Sequence, residues 1–353
     1  MMTSAQRYVE LEVAGTPREL GRQIGEGARD LVRGFCDVAL QQVNRTLRVS
    51  RDSAMALAEA SIKYAEGYSP DLVEELRGTA EAAGVTLADV MLLQVRNQLQ
   101  ADDAGCTSFS LASVAGLGRV VAQNWDNDPF LDQFTLVLTR RPTGKPALTT
   151  VTQAGLIAYI GFNSAGIGLC LNTLPAPSRK FGVPHYFTAR EILEADSLEG
   201  AVTAVRRAER AIPANIMMTT PQGPANLEVT IDNVYVLRDA GEGIVTHTNH
   251  ARHPELAAAS SGYPELIQSR PRLARIDHLL EKSHGAEWSL EQLQSALRDH
   301  DGHPQSICRH PNSLSPHGFW ETVFSVIIAP ESREMYLTRG TPCDRPFERY
   351  QMG

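Results

Sequence analysis

The sequence predicts an α+β protein. Three observations carry that reading. Residues before about 100 are patterned as successive helices; short β-rich runs begin abruptly at Cys106; and those runs come in hairpin-spaced groups with helices clustered between the groups. The strict βαβ alternation of a doubly wound parallel sheet is missing.

The first helix opens at Thr16-Pro17-Arg18-Glu19, a capping box with proline at the first helical position, where its missing N–H costs nothing. Leu20, Ile24, Leu31, Phe35, Val38 and Val43 continue it as one buried stripe. Gly21, Gly25 and Gly27 lie inside that stripe, and interior glycine weakens a helix by up to about 1 kcal/mol, so close packing is the expected compensation. Further helices are expected over 50–68, 69–84 and 86–99. Strands follow at 106–111, 120–124, 134–139, 148–153, 157–162 and 167–171, the last pair joined by the hairpin residues Asn163-Ser164-Ala165-Gly166. Helices at 187–194 and 198–209, strands at 216–220, 226–231 and 234–237, helices at 265–281 and 290–299, and closing strands at 322–328 and 335–338 complete the pattern.

Composition limits what such a fold is for. The chain has 353 residues, 33 Lys+Arg against 41 Asp+Glu and a net charge of −8, which argues against a phosphate-binding nucleic-acid face. No apolar run approaches the roughly 20 residues of a membrane span, and the start lacks the pattern of a signal peptide. Five cysteines, at 36, 106, 170, 308 and 343, are odd in number and never in a CxxC pair. No disulfide framework, zinc knuckle or other cofactor is therefore expected, and a reducing cytoplasm is the default location.

The sharpest chemical feature is Asp102-Asp103-Ala104-Gly105-Cys106-Thr107-Ser108-Phe109, where a glycine and a cysteine stand at the junction of the helical and β-rich regions. Glycine before a nucleophile leaves the carbonyl sterically open. Were the Gly105–Cys106 bond cut, Cys106 would carry both a thiol, titrating near ~8.5, and an α-amine, titrating near ~7.7–8.0: a nucleophile and its base on one residue. Taken alone, Gly-Cys is a weak signal and reads rather as a small buried core residue, which is what most free cysteines are. Gln123-Asn124-Trp125-Asp126-Asn127, Gly161-Phe162-Asn163, Thr246-His247-Thr248-Asn249-His250 and Ser306-Ile307-Cys308-Arg309-His310 add polar groups at strand ends, where they must be paired or face a site. His247, His250 and His253 fall at a strand end and turn without an H-E-x-x-H pattern, so they read as solvated or capping residues, with a metal-dependent hydrolase the minor alternative. His310 and His317 read as surface loop residues.

Taken with Gly15-Thr16-Pro17, the Gly21/Gly25 helix, Thr248-Asn249-His250, Ile307-Cys308-Arg309 and Gly340-Thr341-Pro342-Cys343, these segments resemble, over nearly the whole chain, the isopenicillin-N acyltransferase family of self-cleaving N-terminal-nucleophile hydrolases. The resemblance implies a four-layer αββα sandwich of two antiparallel sheets with helices outside, forming one compact domain. It implies self-cleavage at Gly105–Cys106 into a helical chain, 1–105, and a nucleophile-bearing chain, 106–353, that stay together, with Thr107 assisting. It also implies Cys106 as nucleophile, with Asp126 and Arg309 in its surroundings and Asn249 as oxyanion donor. By its residue type alone, Asn249 fits an Asx turn equally well, and Asp126 and Arg309 fit a structural ion pair. Phe109, Trp125, Phe162 and Asn163 are the candidates for lining an acyl pocket, although ordinary core explains at least two of the aromatic residues. The expected activity is cleavage of a small N-acyl or peptide-like amide through an acyl-thioester, with acyl-CoA-dependent N-acylation or a catalytically silent binding protein as alternatives. The partners expected are a small amide or acyl-thioester and the cleaved N-terminal chain; a homo-oligomer is compatible with the sequence.

Overall fold

A computed structural model describes residues 7–45, 47–99, 105–281, 287–313 and 318–353. Asp102, Asp103, Ala104 and His317 lie outside the described residues. Five helices precede the β-rich region: α1 (Pro17–Gly27), α2 (Arg29–Val43), α3 (Arg51–Tyr68), α4 (Pro70–Ala83) and α5 (Leu87–Val95). Thr16 and Glu19 form the capping box of α1, and Gly84 closes α4 in the left-handed conformation at φ 71°. The stripe expected as one helix is broken at Ala28 into α1 and α2. The interior glycines have a steric purpose. A Cβ on Gly21 would lie 1.9 Å from the Glu75 carbonyl oxygen, and one on Gly78 would lie 2.4 Å from that of Arg18. Helices α1 and α4 thus touch backbone to backbone, and the contact offsets the propensity cost.

Two sheets form the centre. One has eight strands in the order β1-β4-β5-β6-β7-β8-β9-β10. These are β1 (Glu10–Gly15), β4 (Thr135–Pro142), β5 (Leu148–Gln153), β6 (Ile160–Asn163), β7 (Gly168–Asn172), β8 (Ala214–Thr220), β9 (Gly223–Val229) and β10 (Val234–Arg238). The other has six in the order β11-β2-β3-β12-β13-β14. These are β11 (Ile244–His247), β2 (Cys106–Val114), β3 (Gly118–Asn127), β12 (Glu321–Ala329), β13 (Glu334–Leu337) and β14 (Glu348–Gln351). Strands β2 and β3 face β7, β8 and β9 across the sandwich. Helices α6 (His185–Leu193) and α7 (Leu198–Arg206) cover the eight-stranded sheet with the N-terminal helices, while α9 (Ser269–Leu279) and α10 (Leu290–Leu297) cover the six-stranded one. The layering is αββα, as the resemblance implies.

Three differences from the sequence reading have physical causes. β1 pairs in parallel with β4, so the larger sheet is not purely antiparallel. Like β14, β1 is an edge strand; its Glu10-Leu11-Glu12-Val13 alternation is short and buries only Val13, as β14 buries only Tyr350, so neither stands out in the sequence. The helix expected from Glu265 starts only at Ser269, because Ile267 and Gln268 adopt positive φ (44° and 49°) that no helix accommodates. A short helix, α8 (Pro254–Ala259), begins instead after His253. No helix among the described residues is long and apolar enough to cross a membrane.

Glu75 of α4 fastens the outer helical layer to the sheet. Buried, its carboxylate meets Arg140 of β4 at 2.7 Å and Arg190 of α6 at 2.9 Å. The burial of Glu75 opposes its ionisation, but the two guanidinium groups prevail and hold its pKa below the usual value. Breaking a buried pair by removing one partner costs about 3–5 kcal/mol. Glu75→Gln is expected to destabilise by that order, because buried Arg140 loses its ion-pair partner and Arg190 keeps only Glu194; urea unfolding followed by circular dichroism measures it.

Candidate active site

Cys106 is the first residue of β2, where the chain enters the sandwich from the helical layer. Both sides of the preceding peptide bond are held. The Asp126 backbone N–H donates to the Gly105 carbonyl at 3.1 Å. The Cys106 N–H donates to Asn249 Oδ1 at 2.9 Å. Gly105 is buried. A Cβ built on it would lie 3.3 Å from Asp126 Oδ2 and 3.4 Å from Ile267 Cβ, so a larger residue would crowd the carboxylate. Ile267 is itself a β-branched residue at positive φ, a strained conformation stored against the glycine.

Asp126 sits on β3, with β2 on one side and β12 on the other. Thr322 of β12 donates its hydroxyl to Asp126 Oδ1 at 2.7 Å and accepts the Arg309 N–H at 2.9 Å. Asp126 Oδ2 has no hydrogen-bond partner among the described residues. Burial raises the Asp126 pKa to about 6, against the lowering pull of Arg309, then Arg272, then the Thr322 hydrogen bond. Burial also pushes the Cys106 thiol up to about 12, reinforced by the Asp126 charge and opposed by the Asp126 N–H, Arg272 and Arg309. The thiol is therefore protonated at neutral pH. The Arg309 guanidinium, buried and without a hydrogen-bond partner among the described residues, lies 6.0 Å from the centroid of the Trp320 ring.

Cys106, Asp126, Asn249, Arg309, Gly105 and Thr107 thus converge. Asn249 Oδ1 accepts from Cys106 and holds its nitrogen, while Nδ2 donates one N–H to the Thr173 carbonyl at 3.0 Å and has a second amide hydrogen besides. The pocket candidates divide. Trp125 pairs with Cys106 across β2 and β3, lines the cleft beside it and donates Nε1–H to Tyr159 Oη at 2.7 Å. Phe109 does not line that cleft: three residues on from Cys106, it points to the opposite face of the strand, into the cluster under α9 and α10. Phe162 is core beneath the helices, away from the cleft lining. Asn163 plugs its hairpin, donating to the Leu193 and Ala195 carbonyls at 2.9 and 2.7 Å and accepting from Ala165 and Ile167.

Cys106 lies on the wall of that cleft with Trp125, Tyr159, Asn172, His185 and Trp320. None of its described lining residues is an Asp, Glu, Lys or Arg. Burial, aided by Arg96, lowers the His185 pKa to about 3, so its imidazole is neutral. Of the three histidines weighed as metal ligands, His247 bonds buried Glu228 at 2.9 Å, His250 bonds the Ser269 hydroxyl at 2.7 Å and His253 stacks on Tyr235. They form no ligand cluster among the described residues.

Sequence reasoning missed Arg272. From α9 this buried guanidinium donates to the Cys106 carbonyl (2.7 Å), the Thr107 hydroxyl (2.9 Å) and Asn249 Oδ1 (2.7 Å), while its Nε bonds the Ile267 carbonyl (2.8 Å). Nothing local distinguishes it from an exposed helix arginine; only the docking of α9 on β2 brings it in. Its fork clamps the Cys106 backbone to the asparagine that holds its nitrogen, and lysine cannot reproduce that geometry. Arg272→Lys is expected to slow the reactions of Cys106 about 100-fold, the cost of roughly 1 Å of misplacement. The rate of Cys106 alkylation by iodoacetamide, compared with the unfolding midpoint, separates this effect from lost stability.

Two facing sheets between helical layers, with a cysteine at a strand start beside a polar cleft, define a four-layer αββα sandwich. The family model for acyl-coenzyme A:6-aminopenicillanic acid acyl-transferase matches residues 114–344, and the chain belongs to that family. The acyl-coenzyme A:6-aminopenicillanic-acid-acyltransferase 40 kDa form of Emericella nidulans is 27% identical over 346 residues, covering 96% of this chain and 94% of the relative. Among solved structures, a mutant conjugated bile acid hydrolase from Clostridium perfringens is similar at TM-score 0.46 and 12% identity, covering 70% of this chain and 97% of that one. Penicillin V acylase from Agrobacterium tumefaciens is similar at TM-score 0.39 and 12% identity, covering 67% and 74%.

Proposed function

We propose that this protein is a self-activating cysteine amidohydrolase that cuts its own Gly105–Cys106 bond and then cleaves a small N-acyl or peptide-like amide. The observation that carries the reading is the grip on that bond: a donor on the Gly105 carbonyl and an acceptor on the Cys106 N–H. Asp126 Oδ2 accepts the thiol proton as Cys106 Sγ attacks the Gly105 carbonyl carbon. The Asp126 N–H stabilises the oxyanion, a contribution of about 3 kcal/mol for such a donor. The C–N bond breaks as the same carboxyl returns the proton to the Cys106 nitrogen, leaving a thioester that water hydrolyses. The new α-amine, titrating near ~7.7–8.0, is then the base for the thiol. Asn249 Oδ1 and the Arg272 clamp keep it in place. Substrate acyl groups form a thioester on Cys106 and leave to water or to an amine.

A cleft lined by neutral polar and aromatic groups suits an uncharged amide. An acyl-CoA brings phosphates for which the lining offers no cation, so hydrolysis is favoured over CoA-dependent acylation; the family's name supports the second direction. Intact mass of the purified protein, with a panel of small N-acyl amides, tests the reading: two chains, the second beginning at Cys106, and amide turnover are expected. A single active chain would overturn self-cleavage. Amides left untouched while an acyl-CoA plus an amine reacted would reverse the direction.

A further inference from the structure

A second cluster includes the two residues that flank Arg309 in sequence. His300, which follows α10, joins Cys308 and His310 from the segment entering β12 and Cys343 from the loop after β13. One ligand atom from each lies within 4.8 Å of every other, and this is the group of that kind among the described residues. His310 Nε2 is 3.6 Å from Cys308 Sγ, 3.5 Å from Cys343 Sγ and 3.0 Å from His300 Nε2. Tetrahedral zinc, with Zn–S of about 2.3 Å and Zn–N of about 2.0–2.1 Å, puts sulfur and nitrogen about 3.5–3.6 Å apart and two nitrogens about 3.3 Å apart. Both sulfur–nitrogen distances match, and a slight turn of the exposed His300 ring opens the third.

The backbone around the cluster is anchored. The Cys308 N–H donates to the Asp299 carbonyl at 2.9 Å, the His310 N–H to the Pro304 carbonyl at 3.0 Å, and Arg298 Nε to the Pro342 carbonyl at 2.9 Å. Cys308 is buried and the His310 and Cys343 side chains are half-buried, so the sulfurs are shielded from bulk solvent. Two thiolates and two imidazoles are a soft set that suits zinc, and four protein ligands leave no open position for catalysis.

We infer that His300, Cys308, His310 and Cys343 bind one structural zinc ion. The ion fastens the C-terminal loop to the segment carrying Arg309, whose N–H reaches Thr322 and, through that hydroxyl, Asp126. Sequence reasoning saw no zinc site because the ligands are spread over 300–343 without a CxxC pair.

The test is metal content of the full-length protein purified with reductant and without chelator, followed by Co(II) replacement, which reports thiolate ligation by its absorption bands. One zinc per chain and a tetrahedral thiolate–Co(II) spectrum are expected. Cys343→Ser should weaken metal affinity by more than the 10–100-fold that loss of an outer partner costs, while Cys36→Ser should leave it unchanged. Wild-type protein that takes up neither zinc nor Co(II), a Cys308–Cys343 disulfide in place of the metal, or a Cys343→Ser variant that binds as tightly as wild type would overturn the assignment. Metal content is read without reference to turnover or chain cleavage.

Discussion

Cys106→Ala is expected to yield one uncut chain of 353 residues where the wild type yields chains of 105 and 248 residues, and to abolish turnover altogether. The substitution removes one sulfur from a buried site and leaves the backbone hydrogen bonds of Cys106 to Asn249 and Arg272 available, so the fold should survive it. Its cavity cost is small, because losing a single heavy atom forfeits little burial. The size of the effect follows from the absence of a substitute: no other described cysteine lines the cleft, and the nearest hydroxyl in sequence, Thr107, is bound by Arg272 on the outer face of the strand. Denaturing electrophoresis with intact mass decides the outcome. Were the alanine variant cut at the same bond, another protease would be responsible, and the hydrogen bonds around Gly105 would have to be read as structural.

How far the site could be read from the sequence depended on the kind of interaction involved. Helices α3, α4 and α5 and most central strands were legible because their apolar periodicity and caps are local. β1 and β14 were not, since each is a short edge strand that buries a single side chain, Val13 or Tyr350. The same division holds in the site. Gly105-Cys106, Asp126 and Asn249 stand at strand ends, where polar residues interrupt apolar runs. Arg272 is marked only by the docking of its helix, and the His300–Cys343 cluster only by the meeting of three loops. Phe109 and Phe162 are two aromatic residues that ordinary core explains: aromatic type was legible, but which of the three aromatic candidates faced the cleft was decided by strand alternation and layer packing.

Asp126→Asn should be the most revealing substitution after that of the nucleophile. Asparagine keeps the backbone N–H that holds the Gly105 carbonyl and can still accept from Thr322, so oxyanion stabilisation and local geometry persist. What it lacks is a group able to take the thiol proton. With the thiol pKa raised to about 12 in the uncut chain, that loss is expected to slow self-cleavage by about 10²–10⁴, the range for a general base. The wild-type pH dependence follows from the same group. Its folded pKa of about 6 means that cleavage slows as pH falls through 6, as the base becomes protonated. Linkage runs the other way. A carboxyl whose pKa is raised on folding stabilises the fold when protonated, below its unfolded value, and that contribution is lost as pH rises through about 6. Asp126 therefore costs stability at the pH where, as the proposed base, it is ionised. Replacing it removes that cost but also the counter-charge of Arg272 and Arg309, two opposing effects, so thermal stability should change far less than cleavage. Pulse-quenched cell-free synthesis of both forms across a pH series spanning 6 gives the rates, and thermal melts of the purified proteins give the stabilities. A cleavage rate in Asp126→Asn equal to wild type, or a wild-type profile flat through pH 6, would transfer the proton to another group and leave the Asp126 carboxylate only an electrostatic partner for its two arginines.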